Sequence, residues 1–231
     1  MNTQRFDYTD FNRLKIERAL SVDILRADAY SLTIGDDFSR IKVEKVGDTL
    51  VVGRRGLDWI APFHPRPHIV ITLPELYELT MTGACQGKVI GFQSNHEFTL
   101  KLTGACHLEI NRMSAGSLKT NISGASNLAG DINISGDVLF EISGASRVEL
   151  SGSGNSARIE LSGASQARLA NFALHKASAN ICGASSVQLN VSDNLDINLC
   201  GASRLEYAGR PALGKVQVAG ASVLKQRSYL I

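Results

Sequence analysis

Residues able to do chemistry are few in this chain of 231, and most of them fall in one recurring setting. Glu141 and Glu160 each stand three residues before the glycine of a Ser-Gly-Ala-Ser quartet. Two carboxyls about 5–5.5 Å apart suit a retaining glycosidase, one as nucleophile and the other as acid and then base. The four cysteines lie inside the same kind of quartet, Cys85 and Cys106 in its fourth place, Cys182 and Cys200 in its first. The histidines, at 64, 68, 96, 107 and 175, are dispersed. Only His64 and His68 are neighbours, in a proline-rich stretch rather than on a helix, so no metal site is expected. There is no C-x-x-C, no Gly-rich loop opening a helix and no Gly-Gly-x-Gly-x-Asp repeat, so no cofactor is expected.

The quartet itself sets the elements that position these residues. It occurs eight times, with its glycine at 83, 104, 124, 144, 163, 183, 201 and 220. A self-similar period near twenty marks a solenoid, in which each repeat packs on its neighbours. Two and four residues before the glycine the chain is mostly apolar, as at Leu100, Leu102, Phe140, Ile142, Ile159 and Leu161. Between these columns stand Thr80, Lys101, Asn121, Glu141, Glu160, Asn180, Asn198 and Gln217. Such period-two alternation is that of strands with one buried face. Each repeat is strand, glycine corner, strand and return segment, with the motif alanine expected to fill a tight inner corner. Equivalent strands then stack in parallel about 4.8 Å apart. The expected fold is all-β: a right-handed, single-stranded parallel β-helix with about 20 residues per turn.

Stacking puts Cys85 under Cys106 and Cys182 under Cys200. The expectation is free structural thiols in a small-residue ladder, with disulfides and a metal site as alternatives. Glu141 and Glu160 become neighbours on an outer strand face, with Arg158 and Arg168 near enough in sequence to balance them. That face is convex unless a long loop walls a cleft, and repeats this short leave no room for one. The corner serines recur too uniformly to be nucleophiles. The reading is therefore not an enzyme.

One β-helix domain over residues 1–231 is expected, with degenerate turns and a capping loop over 11–75, quartet turns over 76–222 and a C-terminal cap over 223–231. Within 11–53 the runs LKIE, LSVDIL, YSLTI, RIKVEK and TLVV read as strands. SGSGNS (151–156) and AGRPALG (208–214) read as loops. Residues 54–67 hold three of the five prolines and the only tryptophan. Arg54, Arg55, Trp59, Phe63, His64 and Arg66 there make a candidate binding loop, against the plainer reading of an insertion packed on the coil. A net charge of +2 argues against a nucleic-acid partner, and no apolar run could span a membrane. The first residues carry no secretory h-region, which places the protein in the cytoplasm if Met1 is native and at the cell surface if a leader has been removed.

The repeated S-G-A-S with short flanking β-segments, after the LPEL lead-in at 73–76, resembles the head GIN domain family of auto-transporter adhesins, over about residues 14–222. The resemblance implies a right-handed parallel β-helix, a bacterial source and an adhesive role, and it supplies no catalytic motif. The chain thus reads as a surface-presenting solenoid with a protein or glycan ligand. The alternatives are a carbohydrate-active enzyme using Glu141 and Glu160, and a scaffold that self-assembles through its lateral polar ladders.

Overall fold

The computed structural model describes residues 4–35, 38–55 and 66–227. It is a β-solenoid of about seven turns, with parallel bridges recurring about 20 residues apart. Two strand columns flank the corner. Before it stack β8 (Glu78–Gly83), β10 (Glu97–Gly104), β12 (Ser117–Gly124) and β14 (Asp137–Ile142). After it stack β9 (Gln86–Ile90), β11 (His107–Ala115) and β13 (Asn127–Ile134). From there β15 (Arg147–Leu161), β16 (Gln166–Ile181) and β17 (Ser186–Leu199) each run from the second column into the first of the next turn. The coil closes with β18 (Arg204–Ala208), β19 (Ala212–Val218) and β20 (Val223–Gln226).

The segment 151–156 is therefore strand, not loop: Ser151 pairs with both Asp131 and Asn171, and Ser156 with both Asp137 and Lys176. Its small residues let the strand bend while both ladders continue. An added side chain at Gly154 would meet Val138, Phe172 and Leu174.

The corners work by a shared acceptor. Every quartet glycine has φ between +73° and +99°, a region that side chains disfavour. The alanine N–H of each turn bonds the glycine carbonyl of the turn before, as Ala145 does to Gly124 at 2.8 Å. The same carbonyl accepts the hydroxyl of the fourth-place serine, Ser146 Oγ to Gly124 O at 3.2 Å. Ser126, Ser146, Ser165, Ser185 and Ser203 are buried, each with its hydroxyl spent in this way. Ala105, Ala125, Ala145 and Ala164, by contrast, are exposed. The inner corner is filled by serine. The alanine points out, because the turn after a positive-φ glycine puts the fourth residue inward.

The N-terminal strands do not stack in sequence order. Strand β2 (Arg13–Glu17) pairs in parallel with β6 (Thr49–Arg54) on one side and β8 on the other. Strand β3 (Ser21–Arg26) lies likewise between β7 (His68–Leu73) and β9. Residues 13–26 are thus a rung inserted between β6 with β7 on one side and β8 with β9 on the other. Its corner is Glu17-Arg18-Ala19-Leu20, with Arg18 and Ala19 at positive φ where later turns use glycine. Antiparallel strands close this end: β5 (Ile41–Val46) on β6, and β4 (Ser31–Ile34) on β7 with β1 (Gln4–Phe6) beyond it. At the opposite end β20 continues the second column on β18. Residues 228–231 lie outside the described ones.

The core is a stack of Leu, Ile and Val with occasional rings. Phe140 and Phe172 meet edge-on, their centroids 6.3 Å apart, a favoured aromatic geometry. Thr120, in an apolar column, is buried and donates to the Leu139 carbonyl at 3.0 Å, satisfying its hydroxyl.

Candidate functional site

The outward column before the corner is continuous. Register pairs Lys15 with Thr80, then Thr80 with Lys101, Lys101 with Asn121, Asn121 with Glu141 and Glu141 with Glu160. It goes on through Asn180 and Asn198 to Gln217. Strand alternation places all of these side chains on one face. Asn121 Nδ2 donates to Glu141 Oε2 at 3.1 Å, and Asn198 Nδ2 to Asn180 Oδ1 at 2.9 Å. Lys101 Nζ reaches back to Glu78 Oε1 at 2.8 Å.

At mid-column lies a shallow depression of about 260 Å³, lined by Asn121, Glu141, Ile142, Ser143, Glu160, Leu161, Ser162, Asn180 and Cys182. All of these are strand or corner residues, and no loop among the described residues lines it. Glu141 and Glu160 do face each other here. Each already has a partner: Asn121 for Glu141, and Arg158, whose Nη2 lies 2.6 Å from Glu160 Oε1. Arg168 pairs instead with Glu149 at 3.3 Å.

The cysteines divide by their place in the quartet. Cys182 and Cys200, in first place, are half-buried beside the depression and joined by a disulfide, with Cα atoms 4.6 Å apart. The expectation of free thiols is thus corrected for this pair: stacking alone brings the two Cα atoms within disulfide range. Cys85 and Cys106, in fourth place, are free and buried. They stand in the serine column, and Cys106 Sγ contacts the Gly83 and Thr103 carbonyls. A hydrogen bond from Cys85 lowers the Cys106 thiol to about 7. The bond to Cys106, with burial, pushes Cys85 up. One proton shared between two stacked thiols has this effect.

The candidate loop 54–67 follows β6 and precedes β7 in the chain. Arg54 is buried, and its carbonyl accepts Arg18 Nη1 at 2.9 Å. Arg55 and Arg66 are exposed at the two ends of the loop. Trp59, Phe63 and His64 lie outside the described residues.

Pairing across the inserted rung also creates a cluster without a sequence signature. Ser21 Oγ lies 3.4 Å from His68 Nδ1, and Asp23 Oδ2 lies 3.3 Å from His68 Nε2. The order is that of a Ser-His-Asp relay, but the Ser21 N–H is spent on the Pro67 carbonyl at 3.0 Å. Among the described residues no group of three or more His, Cys, Asp or Glu could hold a metal ion, and no helix is long and apolar enough to cross a membrane.

A family model described as "Putative auto-transporter adhesin, head GIN domain" matches residues 10–211. No curated protein matches in sequence. Among solved structures, one from Parabacteroides merdae described as a "putative adhesin" superposes with a TM-score of 0.89 at 17% identity, covering 98% of this chain and 96% of that one. A "putative adhesin" from Parabacteroides distasonis gives 0.87 at 14% identity, with the same coverage. A "putative lipid binding protein" from the same species gives 0.81 at 17%, again over 98% and 96%. At these identities the likeness is one of fold.

Proposed function

The chain belongs to the head GIN domain family described as "putative auto-transporter adhesin", and from that membership we propose that it is a non-catalytic adhesive rod. Its ligand is an extended polar chain, a glycan or a protein segment, laid along the column from Thr80 to Gln217. The observation that carries this reading is the unbroken register of amides and carboxylates down one face. Each amide offers both donors and an acceptor, and the strand spacing repeats them every 4.8 Å or so. A ligand with evenly spaced hydroxyls or amides meets such a ladder without adjustment of the rod. The loop 54–67 is a second candidate contact. Its Trp59 and Phe63 supply aromatic anchors of the kind that dominate binding surfaces.

Glycosidase chemistry fits less well. Glu160 is held by Arg158 and Glu141 by Asn121, and the depression is open to water on its outer side.

The test is an array of glycans and matrix proteins probed with the wild type, Asn121→Ala/Asn180→Ala and Trp59→Ala/Phe63→Ala, with reducing-end release measured on every polysaccharide bound. Binding by the wild type should fall at least tenfold in the amide double variant, with no reducing ends released. Release of reducing ends that is lost in Glu141→Gln would establish an enzyme instead. Binding indifferent to both double variants would sink the column and the loop as contacts.

A further inference from the structure

The two ends of the solenoid are finished differently. At the N-terminal end the outermost β5 carries Lys42, Glu44 and Lys45 among its six residues. Charges at that density on an edge strand discourage the addition of another strand. At the C-terminal end β19 pairs with β17 alone, and β20 with β18 alone, among the described residues. A row of backbone N–H and C=O groups is left open there. Strand β19 reads Ala-Leu-Gly-Lys-Val-Gln-Val, with one charge and no proline. Leu213, Val216, Val218 and Val223 are 46%, 41%, 46% and 47% exposed, although Ile197 and Leu199 in the turn before are buried.

We propose that a second copy of the chain docks on this end, tail to tail about a twofold axis, with Val216–Val218 of the two β19 strands paired antiparallel. Identical edges meeting about a twofold close at two copies. Head-to-tail stacking would instead set the apolar β19 edge against the charged β5. The register puts Gln217 on the axis and Val216 opposite the second copy's Val218, which keeps like-facing side chains together. It also holds Lys215 away from its own copy. Val216 and Val218 of the two copies then cover each other, and the amide column ending in Asn198 and Gln217 runs on across the axis. This inference does not depend on the adhesive reading.

The experiment is sedimentation of the 231-residue chain over a concentration series, beside Val216→Lys/Val218→Lys. Gln217→Cys and Lys215→Cys are run on non-reducing gels. The wild type should sediment as a dimer that dissociates on dilution. The lysine double variant should be monomeric with an unchanged circular dichroism spectrum. Gln217→Cys should cross-link two chains, since directly opposed Cα atoms lie about 4.5–5.5 Å apart. Lys215→Cys should not, because its copies are offset by about 13 Å along the strands. Should the lysine variant misfold, the cysteine pair decides. A wild type monomeric at every concentration, an open fibre, a dimer indifferent to the lysines, or cross-linking at 215 in place of 217 would each overturn the proposal.

Discussion

Glu141 and Glu160 hold the most suggestive positions in the chain, and their neighbours already account for their charge. Opposed like charges in a sheet cost roughly 0.2–1 kcal/mol. Asn121 and Arg158 offset most of that here. Glu141→Gln/Glu160→Gln should therefore unfold within about 0.5 kcal/mol of the wild type in urea; a gain above about 1 kcal/mol would mean that Arg158 does not hold Glu160 in solution. The cysteines invite a different measurement. Cys182 and Cys200 close a loop with a sequence separation of 18, and restricting such a loop in the unfolded chain is worth about 3 kcal/mol. Cys182→Ser/Cys200→Ser should lose about 2–3 kcal/mol in non-reducing buffer, and no loss would show that the two thiols are free. Cys85 and Cys106 are buried inside the coil. They should resist alkylation until the protein unfolds, and modification of the native protein at the rate of a small-molecule thiol would show that this corner opens.

At the scale of the element, the corner works because the neighbouring turn leaves no room. A Cβ at Gly144, where φ is +80°, would sit 2.4 Å from the Gly124 carbonyl oxygen. That oxygen accepts two hydrogen bonds and cannot move away without breaking them. Gly144→Ala should cost about 2–4 kcal/mol by denaturant titration, from backbone strain and overpacking together. Gly47 is a matched control, with φ of +60° and nothing within 4 Å of the position a Cβ would take. Gly47→Ala should cost only the left-handed conformation, about 1–2 kcal/mol. Equal losses at the two positions would show that the stacked carbonyl is not what makes the corner tight. The first corner shows the same logic reversed. A Cβ at Gly83 would come no closer than 3.5 Å to the Arg18 backbone, because Glu17-Arg18-Ala19-Leu20 turns differently from a quartet. Where the stack is looser, arginine stands in the glycine's place.

At the scale of the molecule, the inserted rung ties the N-terminal residues to strands made much later in the chain. Leu14 and Ile16 lie between Leu50 and Val52 on one side and Leu79 and Met81 on the other. Removal of residues 1–26 would leave a gap in both ladders and uncover the apolar columns of β6 to β9. The truncated chain should bind a hydrophobic dye strongly and melt well below the full one. Unchanged melting with no dye binding would mean that the turns close up without the rung. Contacts spanning such sequence distances also slow folding, since loop closure comes before any gain from the contact.

Much of this was legible in the residues. Alternation around Leu100, Leu102, Phe140 and Ile142, with a glycine near every twentieth position, specifies strand, corner and parallel stacking, because a period of two and a constant repeat length are local properties of the chain. The strands of 11–53 showed themselves by the same alternation. Neighbour identity is not local. The pattern at Leu14 and Ile16 would suit any rung, so only closing the core decided that 13–26 lies between β6 with β7 and β8 with β9, bringing Ser21 and Asp23 to His68. The direction of the quartet side chains depends on φ at the glycine, and so the exposed alanine and the buried serine could be told apart only in the fold. The cysteines follow from that same turn: first place leaves Cys182 and Cys200 on the outer side, free to join, while fourth place turns Cys85 and Cys106 inward onto carbonyls that hold their thiols.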